Sequence, residues 1–246
     1  MKKFFSTSLV AMFFGVSGQA ALADGNAVLV QAPVEKMFIP LGFDDNDKVE
    51  IILHGHFANS CYKMGPVSAT VDTDSKKISI TAEAYFYAGA ICREMIVGFT
   101  KAVELPSHVR PGSYDVVMTG NTAAPASKLL IGRSTRLEAD DYLYASAHSI
   151  DVTTPFVGGA EIVLRGQHPH VFQGCVKFVE TKTSISEDVI VVQPITRISN
   201  DDNECAGSVN NRFEERVQVP ALTRGEYVVH VRTLDGNSLN HFFIAE

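Results

Sequence analysis

The sequence predicts an all-β chain of two tandem β-sandwich domains, and three observations carry that prediction. A corner motif occurs twice, other landmarks repeat at the same spacing, and no segment holds a helical period. The corner runs from Phe99 to Met118 and again from Phe213 to Val231. In each copy a strand ends at a proline, Pro106 or Pro220, because proline has no N–H to give to a ladder. A turn glycine follows, Gly112 or Gly225, and then Tyr114 or Tyr227 opens a valine-bearing strand. Phe99 and Phe213, Val103 and Val217, and Pro106 and Pro220 all stand 114 residues apart. Cys61 and Cys175 keep that spacing; Cys92 and Cys205 stand 113 apart, as do Tyr114 and Tyr227. A period near 114 exceeds the roughly 20–50 residues of solenoid repeats, so each copy reads as a domain.

Taken in order, Met1 to Ala23 reads as a cleaved export signal. Lys2 and Lys3 give the basic start, Phe4 to Val16 the apolar stretch, and Ala21-Leu22-Ala23 the small-residue cleavage site. The apolar stretch is shorter than the ~20 residues a membrane span needs, and no later stretch is apolar enough to serve. Residues 24–131 form the first domain, 132–141 a polar connection and 142–246 the second domain. Without the signal, 19 basic residues face 28 acidic ones, a balance of −9 in place of −7. That acidity argues against nucleic acid and anionic membrane surfaces as partners.

Strand signals in the first domain are Ala27–Val30, Lys36–Ile39, Val49–Leu53, Val67–Val71, Ile78–Ala84, Met95–Leu105, Tyr114–Met118 and Leu129–Ile131. Asp72-Thr73-Asp74-Ser75 reads as a hairpin turn, and His54, His56 and Cys61 fall in an expected loop. The second domain repeats the order from Tyr142–Ala145 to Asn240–Ile244. Four cysteines in an exported chain allow three disulfide pairings. The repeat selects one bond per domain, Cys61–Cys92 and Cys175–Cys205, each closing a loop worth roughly 3 kcal/mol.

The corner resembles the tyrosine corner of immunoglobulin-like and related Greek-key sandwiches, carried by Val109-x-x-Gly112-x-Tyr114 and Leu222-x-x-Gly225-x-Tyr227. That resemblance implies a tyrosine hydroxyl bonded back to upstream backbone. The chain departs from antibody-type domains in having Val116 and Val229 where those carry cysteine, and in having no tryptophan. Gly55…Cys61…Cys92 and Gly166…Cys175…Cys205, each followed by its corner, are also similar to small exported bacterial β-domains. This second resemblance implies a periplasmic or extracellular location and carries no catalytic residue.

Candidate chemistry starts with His54-Gly-His56 and His168-Pro-His170. Residues two apart on an extended strand share a face, so such a pair suits Zn²⁺ or Cu²⁺, with His230 or an acidic loop as a third ligand. The alternative is two pairs of exposed loop histidines. Asp44-Asp45-Asn46-Asp47 with Glu50, and Asn200 to Glu204, offer oxygens to Ca²⁺ but lack the EF-hand spacing. No nucleophile elbow, zincin helix or phosphate loop occurs, so no enzyme activity and no organic cofactor are expected. Tyr85-Phe86-Tyr87 is the candidate contact surface for a protein or carbohydrate, or else a strand end packed on the neighbouring domain. The expectation is a non-enzymatic binding or scaffolding protein of the bacterial envelope, with metal binding through the paired histidine loops as the alternative.

Overall fold

The computed structural model of the protein describes residues 27–107, 109–120, 122–138, 140–154, 159–169, 175–199 and 211–246. The expected export signal, His170, Cys205 and the acidic stretch 200–204 lie outside the described residues. The chain is an all-β sandwich structure, and the four sheets fall into two facing pairs.

In the N-terminal half, β6 (Lys77–Tyr87) is the centre of one sheet. One of its edges carries β5 (Tyr62–Asp72), and the other is shared by β1 (Ala27–Gln31) and β8 (Gly112–Met118). Then follow β9 (Ser127–Gly132) and β3 (Phe43–Asp44). The facing sheet is β2 (Val34–Phe38), β4 (Glu50–Phe57) and β7 (Val97–Glu104). The C-terminal half repeats this order. There β14 (Val189–Ile198) lies between β13 (Val176–Ser186) and the shared edge of β10 (Leu143–Tyr144) and β16 (Gly225–Thr233), with β17 (Asn237–Ala245) beyond. Its facing sheet is β11 (Ala147–Thr153), β12 (Gly159–Gln167) and β15 (Arg212–Pro220).

Alternation explains each core. Ile78, Ile80, Ala82 and Ala84 of β6 point inward, opposite Ile51, Leu53 and Phe57 of β4. Ile162 and Leu164 of β12 face Ile190, Val192, Val229 and Val231 in the other half. Each fully buried Ile or Leu contributes about 1.5–3 kcal/mol.

Both halves switch sheets in the same way. The chain leaves β1 at Gln31, turns through Ala32 and Pro33, and enters β2 on the opposite sheet; Ala145 and Ser146 do this between β10 and β11. Val34 donates to the Ala32 carbonyl and Ala147 to the Ala145 carbonyl, each at 2.9 Å. The turn forces its backbone onto a glycine of the next strand. A Cβ on Gly55 would sit 2.2 Å from the Pro33 oxygen, and one on Gly166 would sit 2.2 Å from the Ser146 oxygen. Phe99 and Phe213 lie across from these glycines and cover the space a side chain would have filled.

The corner differs between the copies. Tyr114 is fully buried and its hydroxyl donates to the Arg110 carbonyl at 2.8 Å, while Lys76 donates to the same hydroxyl at 3.3 Å. Tyr227 instead shares a 3.0 Å hydrogen bond with the Thr223 hydroxyl. The disulfide Cys61–Cys92 is present across a separation of 31 residues. Cys175 is also disulfide-bonded, and its expected partner lies outside the described residues.

Two expectations need correction. His54 and His56 are not in a loop: the strand continues to Phe57, because β7 keeps pairing through Val97. Tyr85, Phe86 and Tyr87 belong to β6 and are half-buried against their own half, not against the other one. Phe86 packs on Tyr62 with ring centroids 4.8 Å apart, and Lys63 lies over Tyr87. The polar connection is held in place, since Asn46 donates to the carbonyls of Arg136 and Glu138 and the Ser134 amide donates to Asp45.

Candidate functional site

Two regions hold the side chains singled out from the sequence. The first is the joint where the outer face of the β2–β4–β7 sheet meets the outer face of β14–β16–β17. Its centre is apolar: Phe38, Ile52 and Ala102 against Val189, Val191, Val228 and Phe242. These residues alternate with the core-facing ones, so the strands that carry them are buried on both sides.

Polar groups from both halves surround that centre. Glu50 accepts from the Ser238 hydroxyl at 2.6 Å and from the Asn240 amide at 3.1 Å. Asn240 thereby presents its carbonyl oxygen to His230 Nδ1 at 2.8 Å. The Arg232 guanidinium lies over Phe43, pairs with Asp47 at 3.3 Å and donates to the Gly42 carbonyl. At the far side Lys36 pairs with Asp188 at 2.8 Å. Burial pushes the Asp47 carboxyl up to about 6, although Arg232 pulls it the other way. Burial also lowers His230 to about 4 and lowers His54.

The candidate metal residues are spent differently from a ligand set. His54 and His56 share a face, with ring centroids 4.9 Å apart. Yet His54 stacks on Phe242 at 3.8 Å and bonds Thr100 through Nδ1, while His56 donates to Glu35 at 3.0 Å. His168 follows β12 and stacks on Phe213 at 4.9 Å. His230 is inside the joint beside Phe43, away from a His54–His56 chelate geometry. Among the described residues no three His, Cys, Asp or Glu side chains converge as a metal site. The acidic loop 44–47 is likewise committed, with Asp47 on Arg232 and Asp45 on the Ser134 amide.

The second region is the disulfide end of the first sandwich. Loop 88–96 leaves β6 there, is tied to Cys61 through Cys92, and exchanges hydrogen bonds between Ser60 and Arg93. Ile91 is wholly exposed, Ile96 is 74% exposed and Met95 51%. Val28 and Leu29 of β1, paired with Phe86 and Tyr85, are about half exposed at the same end. A cleft of about 290 Å³ runs between Lys63, Tyr87 and Ile91. The aromatic run Tyr85-Phe86-Tyr87 is incomplete as a surface without these aliphatic neighbours; Ile91 and Ile96 on either side of Cys92 are the sequence signal for them.

Comparison with known proteins gives one finding. Residues 51–125 are similar to the family described as ORF11 beta-sandwich domain, a match that starts inside β4 and stops short of β9. It covers less than half of the chain and agrees with the sandwich built by those strands. No curated protein and no solved structure gives a significant match.

Proposed function

We propose that the protein is a non-enzymatic, exported binding or scaffolding protein of the bacterial envelope that grips a protein partner with the disulfide end of its first sandwich. In this reading residues 1–23 are a cleaved signal, and residues 24–131 and 142–246 are tandem immunoglobulin-like domains. The observation that carries it is the exposed aliphatic set Ile91, Met95 and Ile96 of loop 88–96, with Ile91 lining the Tyr87 cleft, together with half-exposed Val28 and Leu29 on β1. Large exposed apolar residues gathered at one end of a sandwich favour burial against a partner. Branched aliphatic and methionine side chains suit a protein surface better than a sugar ring, which favours flat aromatic platforms. The disulfide supports an oxidising compartment, and no helix among the described residues is long and apolar enough to cross a membrane.

The test compares the wild-type chain with Ile91→Asp/Ile96→Asp in cross-linking to host envelope proteins. The reading expects a discrete cross-linked partner that the variant loses while its thermal unfolding stays unchanged. Identical cross-linking by both proteins, or binding only to a glycan array, would overturn it.

A further inference from the structure

We propose that the joint between the two halves is an acid-sensitive coupling that stays closed only while His54 and His230 are neutral. The reading is independent of which partner the disulfide end takes. The two halves exchange rings reciprocally. His54 of the first half lies flat on Phe242 of the second, 3.8 Å away at 11°. His230 of the second half stands against Phe43 of the first, 5.6 Å away at 70°. Both imidazoles are almost wholly buried, and the Nε2 atom of each is buried without a hydrogen-bond partner.

The hydrogen bonds fix what each ring can accept. Glu50 takes the Asn240 amide, so the Asn240 oxygen faces His230 and Nδ1 carries the proton. A second proton would go to Nε2, which has no acceptor. His54 has the same problem, with Nδ1 on the Thr100 hydroxyl and Nε2 unpartnered. The face of Phe242 offers a cation some attraction, but it cannot satisfy a buried N–H.

The charges around the rings do not compensate. His54 faces His56 and Lys36, which repel a proton, and Glu35 and Glu226, which attract one. Glu35 is already bonded to His56, and Lys36 holds Asp188 and Glu226. His230 has Arg232 two residues along its own strand, and Asp47, Lys48 and Asp140 line the small space beside it. Asp47 is paired with Arg232, and Asp140 accepts from the Gly236 amide.

The sign follows from the titrations. His230 is near 4 when buried, against an ordinary 6.5. The closed joint therefore binds fewer protons than the open one, and its stability, complete above 6.5, is lost as pH falls toward 4. Asp47 works in the opposite direction, because its raised value lets the closed joint gain a proton on acidification; Asp44 and Asp140, both raised by burial, add to that. The histidines are the groups whose charging the joint cannot accommodate.

Small-angle X-ray scattering from pH 7.5 to 4 tests this on the full chain, alongside circular dichroism. The expected result is an increase in radius of gyration between about pH 6.5 and 4 with the β signal retained. His54→Gln/His230→Gln should stay closed over the same range, and Asp47→Asn, which fixes the neutral form that acid gives Asp47, should open at no higher pH than wild type. A wild-type chain that stays closed to pH 4, or a double glutamine variant that opens with it, would overturn the proposal. If that variant does not fold, NMR of the wild-type chain decides. The cross-half contacts His54–Phe242 and His230–Phe43 should vanish in the same pH step in which the imidazoles take up protons. Loss of those contacts at a different pH also overturns the proposal.

Discussion

The β2–β4–β7 sheet of the first half and the β11–β12–β15 sheet of the second are built alike inside and unlike outside. Position by position, Phe38, Ile52, His54, Thr100 and Ala102 correspond to Asp151, Val163, Arg165, Glu214 and Arg216, as the pairing of each strand shows. The first set is the joint. The second set is a charge ladder: Arg165 pairs with Asp151 and Glu214, and Arg216 with Glu214 and Glu161. The stems of that ladder cover Val163, which is 5% exposed. The other pair of outer faces reverses the pattern. Val228 and Phe242 form a cross-strand pair within the joint, and the first half carries Asp115 and Lys128 at the same cross-strand position. Those two form a 2.6 Å ion pair in solvent.

Two like-built sandwiches that dock through different faces would continue as an open array if every copy kept both faces apolar. Here each half keeps one docking face and closes the other with charges that satisfy each other.

The largest expected effect comes from the feature the halves share. Gly55→Ala or Gly166→Ala drives a Cβ into a backbone oxygen as well as a phenylalanine ring, and each should cost about 3 kcal/mol or more. Denaturant unfolding of either variant measures it. Next comes the joint: Phe242→Ala removes the ring that covers His54 and packs on Phe38, and should cost about 2 kcal/mol. Its readout is loss of contact between the halves before either one melts. The corners should separate in the same experiment. Tyr114→Phe removes a buried bond to a main-chain carbonyl and should cost about 1 kcal/mol; Tyr227→Phe frees only a hydroxyl partner and should cost less. The smallest effect belongs to the solvent face, where Lys128→Ala should change stability by under about 0.5 kcal/mol.

Much of this architecture is legible in the sequence, and the rest is hidden for a physical reason. The repeat spacing marks the strands around each corner, and alternation such as Lys77-Ile78-Ser79-Ile80 shows a sheet with one wet face. At the equivalent place the second copy reads Val189-Ile190-Val191-Val192, without alternation, and that run was a readable sign of a strand buried on both faces. The β4 and β12 segments gave no such clue, because Ile51-Ile52-Leu53 and Ile162-Val163-Leu164 are equally apolar. What separates them are neighbours on other strands, Phe38 against Asp151 and Ala102 against Arg216, which only pairing brings together. His54 suffered from the same limit. As half of an H-x-H pair it suggests a ligand, but the ring that claims it, Phe242, is 188 residues away.

Exchanging one cross-strand pair for its counterpart asks whether these two faces hold the halves together. Val228→Asp/Phe242→Lys gives the second half the pair that keeps the first half's outer face in solvent. Small-angle X-ray scattering at neutral pH should then show an extended particle whose two sandwiches, by circular dichroism, remain folded. A scattering profile unchanged from the wild-type chain would contradict the account, because the halves would then be held together by something other than these faces.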